Sequence, residues 1–243
     1  LCDQIYIMNI ETGSTNMVST GDGVTTCSYF VYPDCQKAIY ASTHMGNKKC
    51  PEKPDYSMGY VWKLYPDYDI FLTDLQTNSL EQLTSSPGYD AEATVAFNGS
   101  KVVYTSMVSG DLDIWTMDLD GKNKVQLTDE LGYDGGAFFN NDATKIVWRV
   151  YHPKTAEETQ QYKNLLAQNS IRPMALQIWT MNSDGTNKKQ ITNNGAANFG
   201  PYFFPSGNKI VFSSNLHDPK GRDFDLYSIK SDGSDLERIT FFN

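Results

Sequence analysis

Four polar residues occupy one recurring position in this chain, and two of them are carboxylates. Each lies eleven residues before a lysine that opens an apolar run. The four residues are Thr26, Asp90, Asp134 and Asn198, ahead of Lys37, Lys101, Lys145 and Lys209. Glu92 follows Asp90 by two residues, so both side chains lie on the same face of a strand. Carboxylates that converge repel one another and require a cation, an arginine or a basic ligand group.

Histidines fall in the same register, since His44 and His152 each follow their lysine by seven residues. One interpretation is a divalent cation, with the ligand set Asp90, Asp134, His44 and His152. A second is a polar mouth that grips a peptide amine or carboxylate, formed by Thr26, Asp90, Glu92, Asp134, Arg149 and Asn198. In a third, these side chains are merely solvated or bonded to loop backbone. Beyond that cation the sequence indicates no cofactor, and it assigns no catalytic residue.

The elements that position these residues come from a repeat. One phrase with a fixed order of residue types occurs five times, at 5–9, 70–74, 114–118, 178–182 and 226–230. Successive copies lie about 65, 44, 64 and 48 residues apart, which indicates a unit of roughly 44 to 48 residues with two insertions of about 20.

Each of the last four copies is followed by a turn and a short run that ends in threonine, which indicates a β-hairpin. Three turns contain Asp-Gly, at 120–121, 184–185 and 232–233. Glycine supplies the positive φ of such a tight connection. A calcium loop is not favoured, because no copy has the full loop spacing or a closing glutamate.

Two further strands precede the phrase in each complete unit. Aromatic runs at 94–97 and 201–204 lead through glycine-containing turns into apolar runs at 101–104 and 209–212. Four short strands per unit predict an all-β fold, a β-propeller of four-stranded antiparallel blades. A β-sandwich is less favoured, since sandwiches do not repeat one four-strand unit.

The repeat resembles that of TolB-like propellers. Their unit runs from an aromatic-Ser-Pro-Asp-Gly-Lys turn through an apolar strand and an Ile-Tyr-x-Met-Asp strand to a closing Leu-Thr. The resemblance covers nearly the whole chain outside the insertions, although 139–142 lacks the Pro-Asp-Gly turn and Cys35 replaces its glycine. It implies a six-bladed ring and an exported, periplasmic protein of the bacterial envelope.

The chain is predicted to form one propeller domain, 1–243. Residues 3–20 supply two outer strands of a first blade, and complete blades are expected at about 24–84, 89–128, 133–192 and 197–240. About four and a half blades of a six-bladed ring are then present, and we expect sequence outside this fragment to close the ring. Insertions at about 45–67 and 151–175 leave from the loop between the second and third strands, on the same face as the polar positions.

The insertions have different characters. In the first, Tyr60 and Trp62 are expected to contact a protein or peptide partner, because aromatic side chains give rigid contact area. The same rings could instead hold the insertion in place by packing against the blades. In the second, Thr155 and Glu158 form a capping box, which predicts a short helix with an apolar face toward the propeller.

Composition excludes some partners. The net charge of -9 argues against nucleic acid, since phosphate binding needs clustered lysine and arginine. No window approaches the eighteen or so apolar residues of a membrane span. Cys2, Cys27 and Cys50 are expected at the insertion-bearing face, where any two of them could pair, with Cys35 left over at the opposite end.

These features favour a non-catalytic protein- or peptide-binding scaffold of the bacterial cell envelope, with its partner on the insertion-bearing face. The alternative is the propeller of a peptidase or other hydrolase, or a metal-dependent enzyme with its site at the channel mouth. The sequence has no Gly-x-Ser-x-Gly elbow, His-Glu-x-x-His helix or phosphate-binding glycine loop, which lowers the enzyme alternative.

Overall fold

In the computed structural model, which describes residues 2–54, 56–57, 59–173 and 175–241, each predicted blade folds as one antiparallel sheet. Asp55 and Met58 of the first insertion and Met174 of the second lie outside these residues. Within the described residues, four sheets have four strands each, and their strands pair in chain order. We number the sheets as blades 1 to 5 along the chain.

The strand bounds follow the predicted units closely. Blade 1 is the two-stranded sheet β1 (Tyr6–Met8) and β2 (Thr15–Met17). Blade 2 comprises β3 (Thr25–Val31), β4 (Lys37–Ser42), β6 (Asp69–Asp74) and β7 (Leu80–Gln82). Blade 3 comprises β8 (Asp90–Val95), β9 (Lys101–Ser106), β10 (Asp113–Asp118) and β11 (Val125–Gln126).

The last two blades repeat the pattern. Blade 4 comprises β12 (Tyr133–Phe139), β13 (Lys145–Tyr151), β15 (Gln177–Asn182) and β16 (Lys189–Gln190). Blade 5 comprises β17 (Asn198–Phe203), β18 (Lys209–Ser214), β19 (Asp225–Lys230) and β20 (Glu237–Arg238). The insertions supply β5 (Trp62–Lys63), the helix α1 (Ala156–Leu166) and β14 (Ser170–Ile171).

The core lies between adjacent blades. Neighbouring blades cover both faces of the inner strands, so the consecutive residues Val102, Val103 and Tyr104 are all buried. For this reason these strands read as continuous apolar runs rather than as an alternation. The innermost strands of blades 2 and 5 also meet, since Tyr29 and Tyr202 bring their hydroxyls within 3.1 Å.

A hydrogen-bonded clasp closes each blade at the insertion-bearing end. In blade 3 the Thr128 hydroxyl donates to Asp113 Oδ1 at 3.1 Å and accepts from the Ile114 N–H at 2.8 Å. The same clasp is made by Ser19 with Gln4, Thr84 with Asp69, Thr192 with Gln177, and Thr240 with Asp225. The hydroxyl that ends each repeat, from serine in blade 1 and threonine in the others, therefore fastens the outermost strand to the start of the third strand.

The predicted Asp-Gly turns join the two outer strands, as expected. Gly121, Gly185 and Gly233 have φ of 76, 85 and 88. In the first of these turns Asp120 accepts a hydrogen bond from the N–H of Lys122, two residues later. Such local bonding is typical of plain Asx turns.

The innermost strand of every four-stranded sheet carries a β-bulge near its start. One residue of each bulge lies in the left-handed region: Cys27 at φ 52, Glu92 at 57, Gly136 at 60 and Gly200 at 54. Glycine adopts this conformation without a steric cost, whereas Cys27 and Glu92 adopt it with a side chain.

The observed register corrects one predicted position. Asp90 pairs with Ser106, and the equivalent residue of blade 2, Ser42, pairs with Thr25 instead of Thr26. The turn between β3 and β4 is one residue longer than its counterparts, so counting eleven residues back from Lys37 stops one residue short of Thr25. The paired ends are Phe30 and Ala38 in blade 2 and Phe203 and Ile210 in blade 5.

Candidate binding site at the insertion-bearing face

The two insertions pair with each other across the mouth of the channel. Trp62 and Lys63 of β5 form an antiparallel bridge with Ile171 and Ser170 of β14. The N–H of Leu64 extends the pairing by donating to the Asn169 carbonyl at 2.8 Å. We call this two-stranded element the strut, because it links a loop of blade 2 to a loop of blade 4.

Both ends of the strut are held. The predicted capping box begins α1, since Thr155 Oγ1 accepts from the Glu158 N–H at 3.1 Å and Glu158 accepts from the Thr155 N–H at 3.1 Å. The helix buries Tyr162, whose hydroxyl donates to the Gly132 carbonyl at 2.7 Å, which confirms the expected inward face. At the other end a Cys2–Cys50 disulfide ties the first insertion to the start of the chain, one of the pairings that the sequence allows.

Beneath the strut lies an inner chamber of about 330 Å3. Its floor holds Thr26, Cys27, Glu92, Tyr133 and Arg149, and its roof comes from the first insertion. The roof residues include Tyr56, Tyr60, Val61, Trp62, Leu64 and Tyr65. Three of the predicted ligand-binding residues, Thr26, Glu92 and Arg149, therefore meet Tyr60 and Trp62 in one cavity.

Glu92 is the most heavily bonded residue of the chamber. Its carboxylate pairs with Arg149 Nη2 at 2.6 Å and accepts from the Tyr133 hydroxyl at 3.0 Å. It also accepts from the Thr105 hydroxyl and from the Gly136 N–H, each at 2.9 Å. The carboxylate charge is thus balanced by an arginine of the next blade.

Arg149 is enclosed by aromatic rings. Its guanidinium carbon lies 5.3 Å from the centre of the Trp62 ring and 5.7 Å from that of Tyr133, both within cation–π distance. A Cβ at Gly136 would lie 2.5 Å from Arg149 Nη2, so a larger residue there would displace the guanidinium from its place beside Glu92. Within the described residues the buried Nε of Arg149 has no acceptor.

Cys27 contributes a free thiol to the chamber wall. Burial and the neighbouring Glu92 raise the pKa of this thiol above its ordinary value, despite a hydrogen bond with Thr26. The side chain is accessible from within the chamber, yet protein surrounds it and few waters can stabilise a thiolate. A thiol with a raised pKa is a poor nucleophile at neutral pH.

Asp134 occupies the predicted position but is completely buried. Its oxygens bond to Trp148 Nε1 at 2.5 Å and to His152 Nε2 at 2.9 Å. His152 Nδ1 in turn lies 3.0 Å from Glu130 Oε2. Burial alone disfavours the imidazolium, but the bond to Asp134 and the nearby carboxylates raise the pKa of His152 above its usual value.

The remaining predicted positions are also buried in the blades. Asp90 is 2% exposed, and burial raises its pKa to about 6, although hydrogen bonds from Ser106 and Thr84 oppose the shift. Asn198 is fully buried and donates to the Leu176 carbonyl at 2.8 Å. These side chains fasten the blades to one another and do not line the chamber.

The four residues predicted to bind a metal are not brought together. His152 contacts Asp134, whereas His44 Nδ1 lies 2.9 Å from Ser42 Oγ and its ring packs against Phe71 in blade 2. Over the described ranges, no three His, Cys, Asp or Glu side chains are grouped so that they could hold a metal ion.

On the outer side of the strut lies a wider groove of about 890 Å3. The first insertion, the second insertion and the β18–β19 loop of blade 5 form its walls. The lining residues are Tyr56, Gly59, Tyr60, Trp62, Pro173, Ala197, Phe199, Ser213, Gly221, Arg222 and Phe224. Trp62, Tyr56 and Tyr60 line both cavities, so the strut separates an inner chamber from an outer groove.

The outer groove contains functional candidates that sequence reasoning missed. Phe199 lies 5.9 Å from Trp62 and 5.5 Å from Phe224, measured between ring centres, so the three form a row. The loop of blade 5 leaves from the same strands as the two insertions, and that position was its one signal in the sequence.

No family model matches the sequence, and no curated protein matches it. Among solved structures, TolB from Acinetobacter baumannii aligns with a TM-score of 0.69 at 17% identity, over 98% of this chain and 48% of that one. The protein described as TolB from Agrobacterium tumefaciens aligns with a TM-score of 0.56 at 20% identity, over 97% and 87%. The chain has the fold of a TolB-like β-propeller. It spans about half the length of the Acinetobacter protein.

The TolB-like fold also occurs in a larger enzyme. Tricorn protease aligns with a TM-score of 0.64 at 18% identity, over all of this chain and 21% of that one. Such a likeness concerns the fold alone, so the peptidase alternative stays a prediction. No helix in the described part of this TolB-like chain is long and apolar enough to cross a membrane.

Proposed function

We propose that this TolB-like propeller is a protein- or peptide-binding scaffold of the bacterial cell envelope, and that its partner docks in the outer groove. The observation that carries the proposal is a groove whose walls come from three separate loops on one face. Propellers expose their binding loops in this way, on a rigid stack of blades.

The exposure of the aromatic side chains shows which of them can contact a partner and which pack the insertion against the blades. Tyr56 and Tyr60 are 54% and 64% exposed, and their rings stack at 6.2 Å. Phe224 on the opposite wall is 41% exposed. Contiguous exposed apolar surface of this kind marks interaction sites in soluble proteins. Trp62, in contrast, packs on Tyr133 and so anchors the strut to the blades.

The Cys2–Cys50 disulfide supports an exported location. Disulfides persist in oxidising compartments such as the periplasm and are rare in the cytosol. The periplasm is therefore the compartment that we propose for this protein.

Site-directed cross-linking tests the docking site. Benzoylphenylalanine replaces Tyr60 or Phe224 in the complete protein, expressed in the cell that produces it, and Gln76 in the exposed turn at the opposite end serves as the control. We expect one cross-linked product, common to positions 60 and 224 and missing at 76. The purified partner should then bind the wild-type protein in calorimetry, and Phe224→Ser should weaken that binding. Cross-linking at 76 alone, or binding unaffected by Phe224→Ser, would place the partner elsewhere.

A further inference from the structure

The outer groove differs in charge from the rest of the molecule. The protein carries a net charge of -9, yet among the described residues that line the groove Arg222 is the one charged side chain. Arg222 is exposed, and it makes no hydrogen bond or ion pair within the described part of the chain. A cation is therefore presented to whatever occupies the groove.

The opposite situation holds in the inner chamber. There the cation Arg149 is already paired with Glu92 and covered by Trp62. Lys63, the other cation of the chamber, donates to the Gln168 carbonyl. Both cations of the chamber therefore have a partner within the chain, whereas Arg222 in the groove is available to a ligand.

Resting on the proposed function, we infer that the docked segment is an acidic aromatic one: it places an apolar or aromatic side chain in the groove and a carboxylate on Arg222. The ring row of Trp62, Phe199 and Phe224 offers edges and faces at spacings suited to a further aromatic ring. The guanidinium of Arg222 is planar and can bind a carboxylate through two parallel hydrogen bonds.

The carboxylate must act at short range. Because the whole molecule is acidic, it repels an acidic segment at a distance and attracts a basic one. A basic segment would nevertheless meet a like charge at Arg222 once it entered the groove. Selectivity for the carboxylate therefore arises on contact, and it depends on a single side chain.

Fluorescence anisotropy with labelled peptides tests this inference on the complete protein. The probes are N-acetylated, C-amidated Gly-Phe-Trp-Asp-Gly and its variants with Asn or Lys in place of Asp. A fourth probe, acetylated Gly-Phe-Trp with a free terminal carboxylate, distinguishes a side-chain from a chain-terminal source. We expect the Asp peptide to bind about fivefold more tightly than the Asn peptide, the size of an exposed ion pair. The Lys peptide should bind more weakly than either.

Arg222→Gln should abolish the preference for Asp over Asn, and Arg222→Lys should restore part of it. Lys220→Gln is the matched control, since Lys220 is an exposed cation of the same loop that does not line the groove. A preference that survives Arg222→Gln, tighter binding of the Lys peptide, or no binding of any peptide overturns the inference. If position 60 cross-links to the partner and any of these results is obtained, the partner docks in the outer groove but the groove does not prefer an acidic segment.

Discussion

The guanidinium of Arg149 on blade 4 lies 2.6 Å from the carboxylate of Glu92 on blade 3, so a largely buried ion pair joins two blades at the mouth of the channel. The bulge that presents Glu92 holds it at φ 57, where the corresponding residues of blades 4 and 5 are glycines. The strained backbone conformation of Glu92 therefore coincides with the ion pair that it allows.

Removal of the Glu92 carboxylate leaves the largely buried guanidinium of Arg149 without its ion-pair partner. We expect Glu92→Ala to lower the free energy of unfolding by about 3–5 kcal/mol, the usual cost of breaking a buried pair. Glu92→Gly should cost about 1 kcal/mol less than Glu92→Ala, because glycine relieves the left-handed strain. Urea unfolding measures both variants. Equal losses would argue against the strain, and losses below about 1 kcal/mol in both would argue against the pair.

The clasp makes a second prediction. Thr128→Val keeps the shape of the side chain but removes the bond to Asp113 and leaves the Ile114 N–H without its acceptor. Such a variant should lose about 1–3 kcal/mol of stability, the cost of unsatisfied buried polar groups. Thr15→Val on the exposed strand β2 is the control and should change stability by less than about 0.5 kcal/mol. Similar losses of unfolding free energy in the two variants would show that the clasp does not stabilise the protein.

Local chemistry made most of the fold predictable. Asp-Gly turns, closing threonines and the capping box at Thr155 act over a few residues, and each formed where the pattern indicated. The bounds of blades 2 to 5 followed, because these four units repeat the same four strands.

The site was less predictable, because it depends on contacts between distant segments. Pairing of Trp62 with Ile171 requires the curvature of the stacked blades, which no local pattern encodes. Counting back from a lysine missed the longer turn of blade 2 and so chose Thr26 over Thr25. The expected binding of a cation or an amine at Asp90 and Asp134 stays a prediction, now for two buried carboxylates.

Burial of Asp90 predicts a pH dependence. Its pKa of about 6 in the folded protein exceeds the ordinary 3.8, so the folded state binds a proton more tightly than the unfolded chain. The stability that this group contributes is fully present below about pH 4 and is lost as the pH rises through about 6. Asp90→Asn should therefore gain stability relative to wild type between about pH 4 and 7. Urea unfolding of both proteins across that range checks the sign, and the prediction is wrong if their stabilities change with pH in parallel. Burial also raises the pKa of Asp113 to about 6, so the variant should keep part of the fall in stability with pH.

The disulfide should stabilise the protein by restricting the unfolded chain. Cys2 and Cys50 are 48 residues apart, and closing a loop of that length contributes about 3–4 kcal/mol. Replacing both by serine should lower the melting temperature, and dithiothreitol should then have no further effect. Cys35→Ser is the control and should retain the sensitivity to dithiothreitol. A double variant that melts with the wild type would show that the link adds no stability.

Partner binding and stabilisation of the fold are expected to depend on different aromatic residues of the first insertion. Trp62 packs against Phe199, Tyr133 and Arg149, so Trp62→Ala should cost about 2 kcal/mol or more in stability. Tyr56 and Tyr60 are exposed at the groove, and Tyr56→Ser with Tyr60→Ser should change the melting temperature little. The same double variant should weaken binding of the cross-linked partner at least tenfold, because exposed aromatic anchors contribute about 2 kcal/mol at interfaces. Calorimetry and thermal unfolding of the two variants measure both effects. If the tyrosine variant binds normally, the groove is not the docking site, and if it unfolds early, these rings stabilise the insertion after all.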